Sequence, residues 1–386
     1  MVLPRSFYLL DNPFGIAPRL DRLTWADQKE FKDDLSDALA FSFSTTPSRI
    51  IACIFGRWGA GKTHALRYFS QQGFIQGVWS HEPDDRRGPP FVVPVIYPMT
   101  DVLKTLYTTT MESIGMARID QAVANAAEDV DELSHMGALE EKIDSFVGVR
   151  NLGRVLAKIH DDTLPIERYL TSKVSIAELR KLGVPRAVES NADRVEVLCG
   201  IIRLLTSTLV THLVLWIDDV ERISDAPGKE ANEFHYFVRD LLDKVPQRLI
   251  IIMNFTYYPG EDVADRLQFL GDALLDRISR QILIKDFDKE RYSEYIRDLL
   301  LEYRAPGFDT ARLSESHPFD QGALDYVYEE LSKKSRLQPR RVNNVLSTLL
   351  DIAAGELGRS SRSRTITKEY VEKNHKRLFQ AAFTAP

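Results

Sequence analysis

Gly56-Arg57-Trp58-Gly59-Ala60-Gly61-Lys62-Thr63 fits the pattern G-x-x-x-x-G-K-[ST] at every fixed position. Glycines at those places let backbone N–H groups close around the β- and γ-phosphates of a nucleotide. Lys62 adds a positive charge at the same oxygens, and the Thr63 hydroxyl is placed to ligate Mg2+. With Gly at about 7% of average composition, a chance match in a chain of this length is roughly a 1% event. The flanks agree with the motif. Arg49-Ile50-Ile51-Ala52-Cys53-Ile54-Phe55 is an apolar run suited to a buried parallel strand, and a helix is predicted from near Lys62. That helix points its positive end at the phosphates. Gly56, Trp58, Gly59, Ala60, Gly61, Lys62, Thr63 and His64 are therefore the expected nucleotide-contacting set, and Mg·ATP is the expected ligand.

Working outward, apolar residues recur at helical spacing from Trp25 to Phe43, after an extended lead-in rich in turn formers. A second strand is predicted at Phe91–Tyr97. Leu213-Val214-Leu215-Trp216-Ile217 and Leu249-Ile250-Ile251-Ile252-Met253 read as two further buried strands, and Gln281–Ile284 as a shorter one. Asp101 to about Val210 reads as mainly helical, with an acidic, solvated face over Glu128–Asp144. Beyond Asp288 the pattern is helical, interrupted near Arg304–Phe319 and by a Ser/Arg stretch at Arg359–Arg364. Strands alternating with helices predict an α/β fold, a parallel sheet covered on both faces, followed by a helical domain. The expected division is 1–45 for lead-in and helix, 46–287 for the nucleotide-binding core, and 288–386 for a helical lid.

Composition sets the class. The chain has 386 residues, 44% hydrophobic and 27% charged, as expected of a soluble globular protein. No apolar run reaches the ~18 residues of a membrane span, so no membrane partner is expected. The N-terminus shows no basic region followed by an apolar core, so no secretory signal is expected either. Cys53 and Cys199 lie far apart in apolar surroundings and read as small buried hydrophobes in a reducing, cytoplasmic setting. Net charge is −6, but Ser332–Pro386 holds twelve basic and four acidic residues, a local +8, which leaves −14 on the remainder. A basic end on an acidic body suggests a directed contact with phosphate or with an acidic partner.

Two strand tips carry further chemistry. Leu213–Ile217 runs into Asp218-Asp219-Val220-Glu221-Arg222. A carboxylate at the C-terminal tip of a buried strand suits a Mg2+ partner, a role read for Asp218. Asp219 is the first candidate to orient the attacking water, with Glu221 competing for that role; the alternative for both is to cap the next helix. Leu249–Met253 ends in Asn254. If that strand lies between the two motif strands, its amide comes beside the γ-phosphate and the water; otherwise Asn254 is a turn former.

The order of these motifs resembles the AAA+ and related additional-strand P-loop ATPases. Asp272-Ala273-Leu274-Leu275-Asp276-Arg277-Ile278-Ser279-Arg280 resembles the helix that carries an arginine finger; the resemblance implies Arg277, or else Arg280, in that role toward a neighbouring subunit. Gln338-Pro339-Arg340-Arg341-Val342-Asn343-Asn344 is similar to the lid's sensor-arginine segment, which implies Arg340 or Arg341 as a reader of the nucleotide. Thr365–Val371 resembles the last lid helix of Orc/Cdc6-like initiators. Typical AAA+ proteins have Asp-Glu where Asp218-Asp219 stands here, which implies slow hydrolysis. Asp-Asp followed by Glu221-Arg222, and the Trp58-Gly59 pair, are closer to the signalling STAND and KAP groups and to phage-defence ATPases. About 150 residues separate Thr63 from Leu213, longer than a plain core needs, so a helical insertion for a protein partner is expected at about 117–191. The chain ends soon after the lid, so no winged-helix domain is expected.

Two functional classes follow. The first is an ATP-dependent assembly switch at duplex DNA, a homo-oligomer in its ATP state, of the replication, transposition or phage-defence type. The second is a signalling or regulatory ATPase that works through protein partners without nucleic acid. A small-molecule kinase lacks any motif for a substrate pocket. No G-x-S-x-G, H-E-x-x-H or C-x-x-C occurs.

Overall fold

The computed structural model describes residues 3, 7–15, 23–44, 50–79, 85–128, 136–245, 247–258, 260–334, 337–357 and 365–384. The Ser/Arg stretch at 359–364 and the middle of the acidic segment lie outside them. Five strands form one all-parallel sheet: β1 (Ile50–Gly56), β2 (Phe91–Ile96), β3 (Leu213–Asp218), β4 (Leu249–Thr256) and β5 (Ile278–Ile284). Their order across the sheet is β2-β3-β4-β1-β5. All five expected strands are present, and β4 does lie between the two motif strands.

The sequence explains the order. Every residue of β3 and β4 is buried, as continuous Leu/Ile/Val runs require when helices cover both faces. The edges are different. β2 carries Pro94, which removes a ladder donor and is tolerated on an edge strand. β5 exposes Ser279, Arg280 and Gln281, and buries Ile282 and Ile284. The registers pair Ile96 with Asp218 and Ile217 with Met253. Asp218 and Asn254, each one step beyond Ile217 or Met253, therefore end up level at the C-terminal edge of adjacent strands.

The chain divides into two compact units. One comprises Asp34–Phe55 and Phe69–Ile282 and holds most of the sheet. Its core runs unbroken from Phe55, Val93, Leu215 and Ile251 through the helices Val102–Ile114 and Asn191–Thr208. It continues into the helices between 116 and 182, where Ile119, Ile143, Val155 and Ile166 join the same cluster. The expected insertion region therefore shares the core of the sheet. Each such side chain taken from water contributes about 1.5–3 kcal/mol. Helix starts follow local chemistry: Ser190 Oγ accepts from the backbone N–H of Asp193 while the Asp193 carboxylate accepts from that of Ser190, a reciprocal cap that opens Asn191–Thr208. Asp144, expected on a solvated face, instead accepts from the Gly153 backbone N–H at 2.9 Å.

The other unit comprises Met1–Asp33, Gly56–Tyr68 and Leu283–Pro386. Its core gathers the lid helices Lys289–Glu302, Gln321–Ser332 and Pro339–Leu357 around Tyr292, Phe319, Leu324 and Leu346. Phe7, Leu9 and Phe14 of the lead-in are buried in that same core, with Phe14 edge-on to Phe319 at 5.9 Å. Leu10 N–H donates to Tyr303 O and Ala305 N–H to Tyr8 O. The lead-in is thus built into the lid's core, something its turn-rich composition did not announce. No helix among the described residues is long and apolar enough to cross a membrane. Cys53 and Cys199 are both buried; burial raises both thiols, that of Cys199 to about 12, so both stay protonated and unreactive.

Candidate nucleotide-binding site

The phosphate loop has the backbone that its glycines permit. Gly59 and Gly61 adopt φ of +81° and +109°, conformations that L side chains rarely enter. Ala60 N–H donates to Arg57 O at 3.0 Å, and the helix Lys62–Phe69 starts with Ala65 N–H on Gly61 O at 2.8 Å. Lys62 is buried and its ammonium donates to Gly56 O at 2.9 Å and Arg57 O at 3.3 Å. Its charge is thereby held across the loop. Thr63 is exposed. A Cβ at Gly61 would meet nothing within 4 Å, so the loop leaves open space where phosphate oxygens would approach. The residues present fit a nucleotide.

The lid's arginine segment reaches this loop within the same unit. Pro339 opens the helix Pro339–Leu357, a position where its missing N–H costs nothing. Arg340 N–H donates to Gly59 O at 3.2 Å. The Arg340 guanidinium lies 4.0 Å over the Trp58 ring and that of Arg341 lies 5.1 Å from it, cation–π contacts on both counts. Arg57 pairs with Asp286 at 2.7 Å, and Gln338 Nε2 donates to the other oxygen of Asp286. Two of the four variable loop residues, Arg57 and Trp58, thus both contact the lid segment. His64 Nε2 meets Thr24 O at 2.9 Å, and the ring lies 6.2 Å from that of Trp25 and 6.4 Å from that of Tyr68. A ring nitrogen facing a carbonyl must carry the proton, and burial lowers the His64 pKa. The expected ligand-contacting side chain of His64 is engaged with the lead-in.

In the other unit the strand tips form their own constellation. Asn254, fully buried, donates through Nδ2 to Asp218 Oδ1 at 2.9 Å and accepts from Trp216 Nε1 at 2.9 Å. Asp219 N–H also donates to Asp218 Oδ1, at 3.1 Å. Asp219 stands in the left-handed region at φ 58° and pairs with Arg222 at 2.7 Å. Glu221 has a buried Oε2 with no hydrogen-bond partner. Asp219 heads the short 3-10 helix Val220–Asp225 without a side-chain cap bond. Among the described residues no three or more His, Cys, Asp or Glu gather to hold a metal. A nucleotide-bound Mg2+ does not need such a cage, since one or two carboxylates with phosphate oxygens and water suffice; a buried carboxylate such as Asp218 fits that requirement.

The expected finger segment differs from its reading. The helix there is a single turn, Asp272–Leu275. Arg277 follows it and pairs with Asp243 at 2.9 Å. Arg280 lies in β5, its guanidinium 5.8 Å from the Phe41 ring. Sequence reasoning passed over Trp216, Asp286 and Gln338. Trp216 could have been flagged, because an indole N–H inside an aliphatic strand must find an acceptor.

The sheet order, the phosphate loop after β1 and the carboxylate at the tip of β3 define a parallel-sheet P-loop NTPase fold. The chain has the fold of the AAA+ P-loop ATPases. It is similar to the Aeropyrum pernix ORC2 protein, with a TM-score of 0.55 and 12% identity, covering 95% of this chain and 72% of that one. Weaker likenesses are to the Walker-type ATPase of Pyrococcus abyssi, at TM-score 0.41 and 16% identity over 96% of this chain and 77% of that one. Domain III of the Thermotoga maritima replication initiation protein DnaA matches at TM-score 0.38 and 13% identity, over 97% and 99%. No protein-family model matches the chain, and no curated protein matches its sequence.

Proposed function

We propose that this chain is a Mg2+-dependent ATPase that works as a slow, ATP-controlled assembly switch at duplex DNA. The observation that carries the reading is the phosphate loop itself. Its positive-φ glycines, its loop-spanning Lys62 and the helix opening at Lys62 make an anion cradle. The A. pernix ORC2 structure is of ADPNP and ADP complexes, which supports a nucleotide as the ligand.

In this reading Lys62 neutralises the β- and γ-phosphates, while Thr63 and Asp218 serve the cation, which supplies Lewis-acid charge at the phosphate oxygens. Asn254 and the sensor arginine, Arg340 or Arg341, respond to the γ-phosphate. Asp219, or Glu221 in its place, orients the water. The pairing of Asp219 with Arg222 supports slow turnover, because the guanidinium occupies the carboxylate that would orient the water. Arg277, or Arg280, completes the site of a neighbouring copy in the oligomer. The basic lid and tail contact the DNA backbone. The chain acts in the cytoplasm.

A second reading, a regulatory ATPase working through a protein partner, is favoured by one observation. Leu164 and Ile176, in the helices Thr163–Leu170 and Ile176–Leu182 of the expected insertion, are 52% and 71% exposed. The deciding experiment for the shared core of both readings is calorimetric titration of ATP into Lys62→Ala. Binding is expected to be lost; retained affinity at the parent level refutes the nucleotide site.

A further inference from the structure

Trp216 is a fully buried tryptophan in the middle of an aliphatic strand, two residues before Asp218. Residues two apart on a strand share a face. On that face the indole packs against Phe69, with ring centroids 6.0 Å apart, and directs Nε1 at Asn254 Oδ1. The chemistry of the three groups fixes the direction of the chain of bonds. An indole N–H can only donate, and Asp218 Oδ1 accepts, as its bond from the Asp219 backbone N–H shows. Asn254 lies between them, so its carbonyl must face Trp216 and its NH2 must face Asp218. The flipped amide would set NH2 against the indole N–H and oxygen against carboxylate, two repulsive contacts in a buried site.

We propose that Trp216 is a positioning residue for the cation-binding carboxylate, acting through Asn254 on Asp218. Asp218 Oδ1 receives two donors, Asn254 Nδ2 at 2.9 Å and the Asp219 backbone N–H at 3.1 Å. Together they hold the carboxyl plane in one orientation at the end of β3. The Asn254 amide adds a side-chain donor to the backbone one at the same oxygen. The second donor is itself reliable only while its amide is prevented from flipping, and the indole N–H prevents it. The inference rests on the reading that Asp218 serves the nucleotide's Mg2+, and it adds the residue that orients it. The same wiring assigns Asn254 a duty beyond the γ-phosphate: one of its two N–H bonds is permanently committed to Asp218.

The test separates cation positioning from nucleotide binding and from simple packing. ATP affinity is measured by calorimetry with Mg2+ and with EDTA, and the quantity read is the gain in affinity that Mg2+ confers. In Trp216→Phe that gain is expected to fall by about fivefold or more, the order expected when a buried acceptor loses its donor, while affinity in EDTA stays at the parent value. In an Asn254→Ala background the Trp216→Phe change is expected to have no further effect on the gain, since the route through the amide is already cut. An unchanged Mg2+ gain in Trp216→Phe overturns the proposal, as does an equal loss with and without Asn254, which would show that the ring acts by packing. If Trp216→Phe folds poorly, replacing Trp216 with 3-benzothienylalanine removes the N–H at nearly constant shape, and the same two outcomes decide. Loss of all ATP binding in the parent itself would instead refute the nucleotide reading.

Discussion

At Gly59 two constraints meet in one atom that is not there. The backbone is at φ +81°, and a Cβ would stand 2.8 Å from the Cβ of Arg340. Gly59→Ala is therefore expected to destabilise the chain by about 1–3 kcal/mol, measured as a lowered midpoint in denaturant unfolding. Gly61→Ala carries backbone strain but meets no neighbour, so a smaller loss is expected; equal losses would show that the approach of Arg340 is immaterial. At this scale the fixed positions of the phosphate loop were legible because their chemistry is local. Arg57 and Trp58 were not, because the motif leaves them variable and their partners lie far along the chain. Asp286 is 229 residues from Arg57, and no spacing rule connects them. Trp58 was noticed as a loop residue, but that it bears two guanidinium groups is a fact of tertiary packing. Asp219 shows a third kind of limit: its candidacy as a base follows from position, whereas its pairing with Arg222 follows from a left-handed turn that sequence does not fix.

At the scale of elements, β3 and β4 were readable because a run that must be buried on both faces has a single composition. β5 was read as the short Gln281–Ile284, yet it begins at Ile278 and displaces most of the expected finger helix. The alternation of exposed and buried residues at 281–284 marks the strand, but its first half is polar and looked like a helix surface. Arg277 is consequently on the connection between a helical turn and an edge strand. Its pair with Asp243 joins side chains 37% and 48% exposed, and such surface pairs are worth at most about 1 kcal/mol. Arg277→Ala should thus leave stability and ATP binding nearly unchanged and reduce turnover in the assembled state; an equal reduction in dilute monomer would refute action on a neighbouring copy. The start of β3 carries a pH dependence. His212 is buried beside Phe43, and burial, aided by the charge of Arg87, pushes its pKa down from 6.5 to about 4. Below pH 6.5 the unfolded chain takes up a proton that the folded chain refuses until about pH 4, so stability present above 6.5 is lost as pH falls through that window. The loss amounts to about 3 kcal/mol. Unfolding midpoints measured from pH 7 to 4 should show it, and His212→Phe should flatten that part of the profile.

For the whole molecule, two hydrophobic cores account for the two units, one around the sheet and one around the lid. The sheet core was anticipated from alternating strands and helices. The lid core was anticipated as helical, but its recruitment of Phe7 and Phe14 was not, because isolated aromatics among turn formers show no periodicity. Charge is the one global property that sequence gives outright. With +8 on Ser332–Pro386 and −14 elsewhere, the net charge favours the basic end as the place of any DNA contact. The described part of that end carries Lys333, Lys334, Arg340, Arg341, Lys368, Lys373, Lys376 and Arg377; Arg336, Arg359, Arg362 and Arg364 lie outside the described residues. Each phosphate neutralised releases condensed counterions, and log K should fall with log salt at about −0.9 per contact on duplex DNA. Fluorescence anisotropy of a labelled duplex, with ATP and between low and moderate salt, should give such a slope. Lys333→Glu combined with Lys334→Glu should lower it by about 2 if both residues meet phosphate, and should leave ATP affinity unchanged. An absence of salt-sensitive binding with and without ATP would eliminate the DNA reading and leave the exposed Leu164 and Ile176 as the surface through which the switch acts.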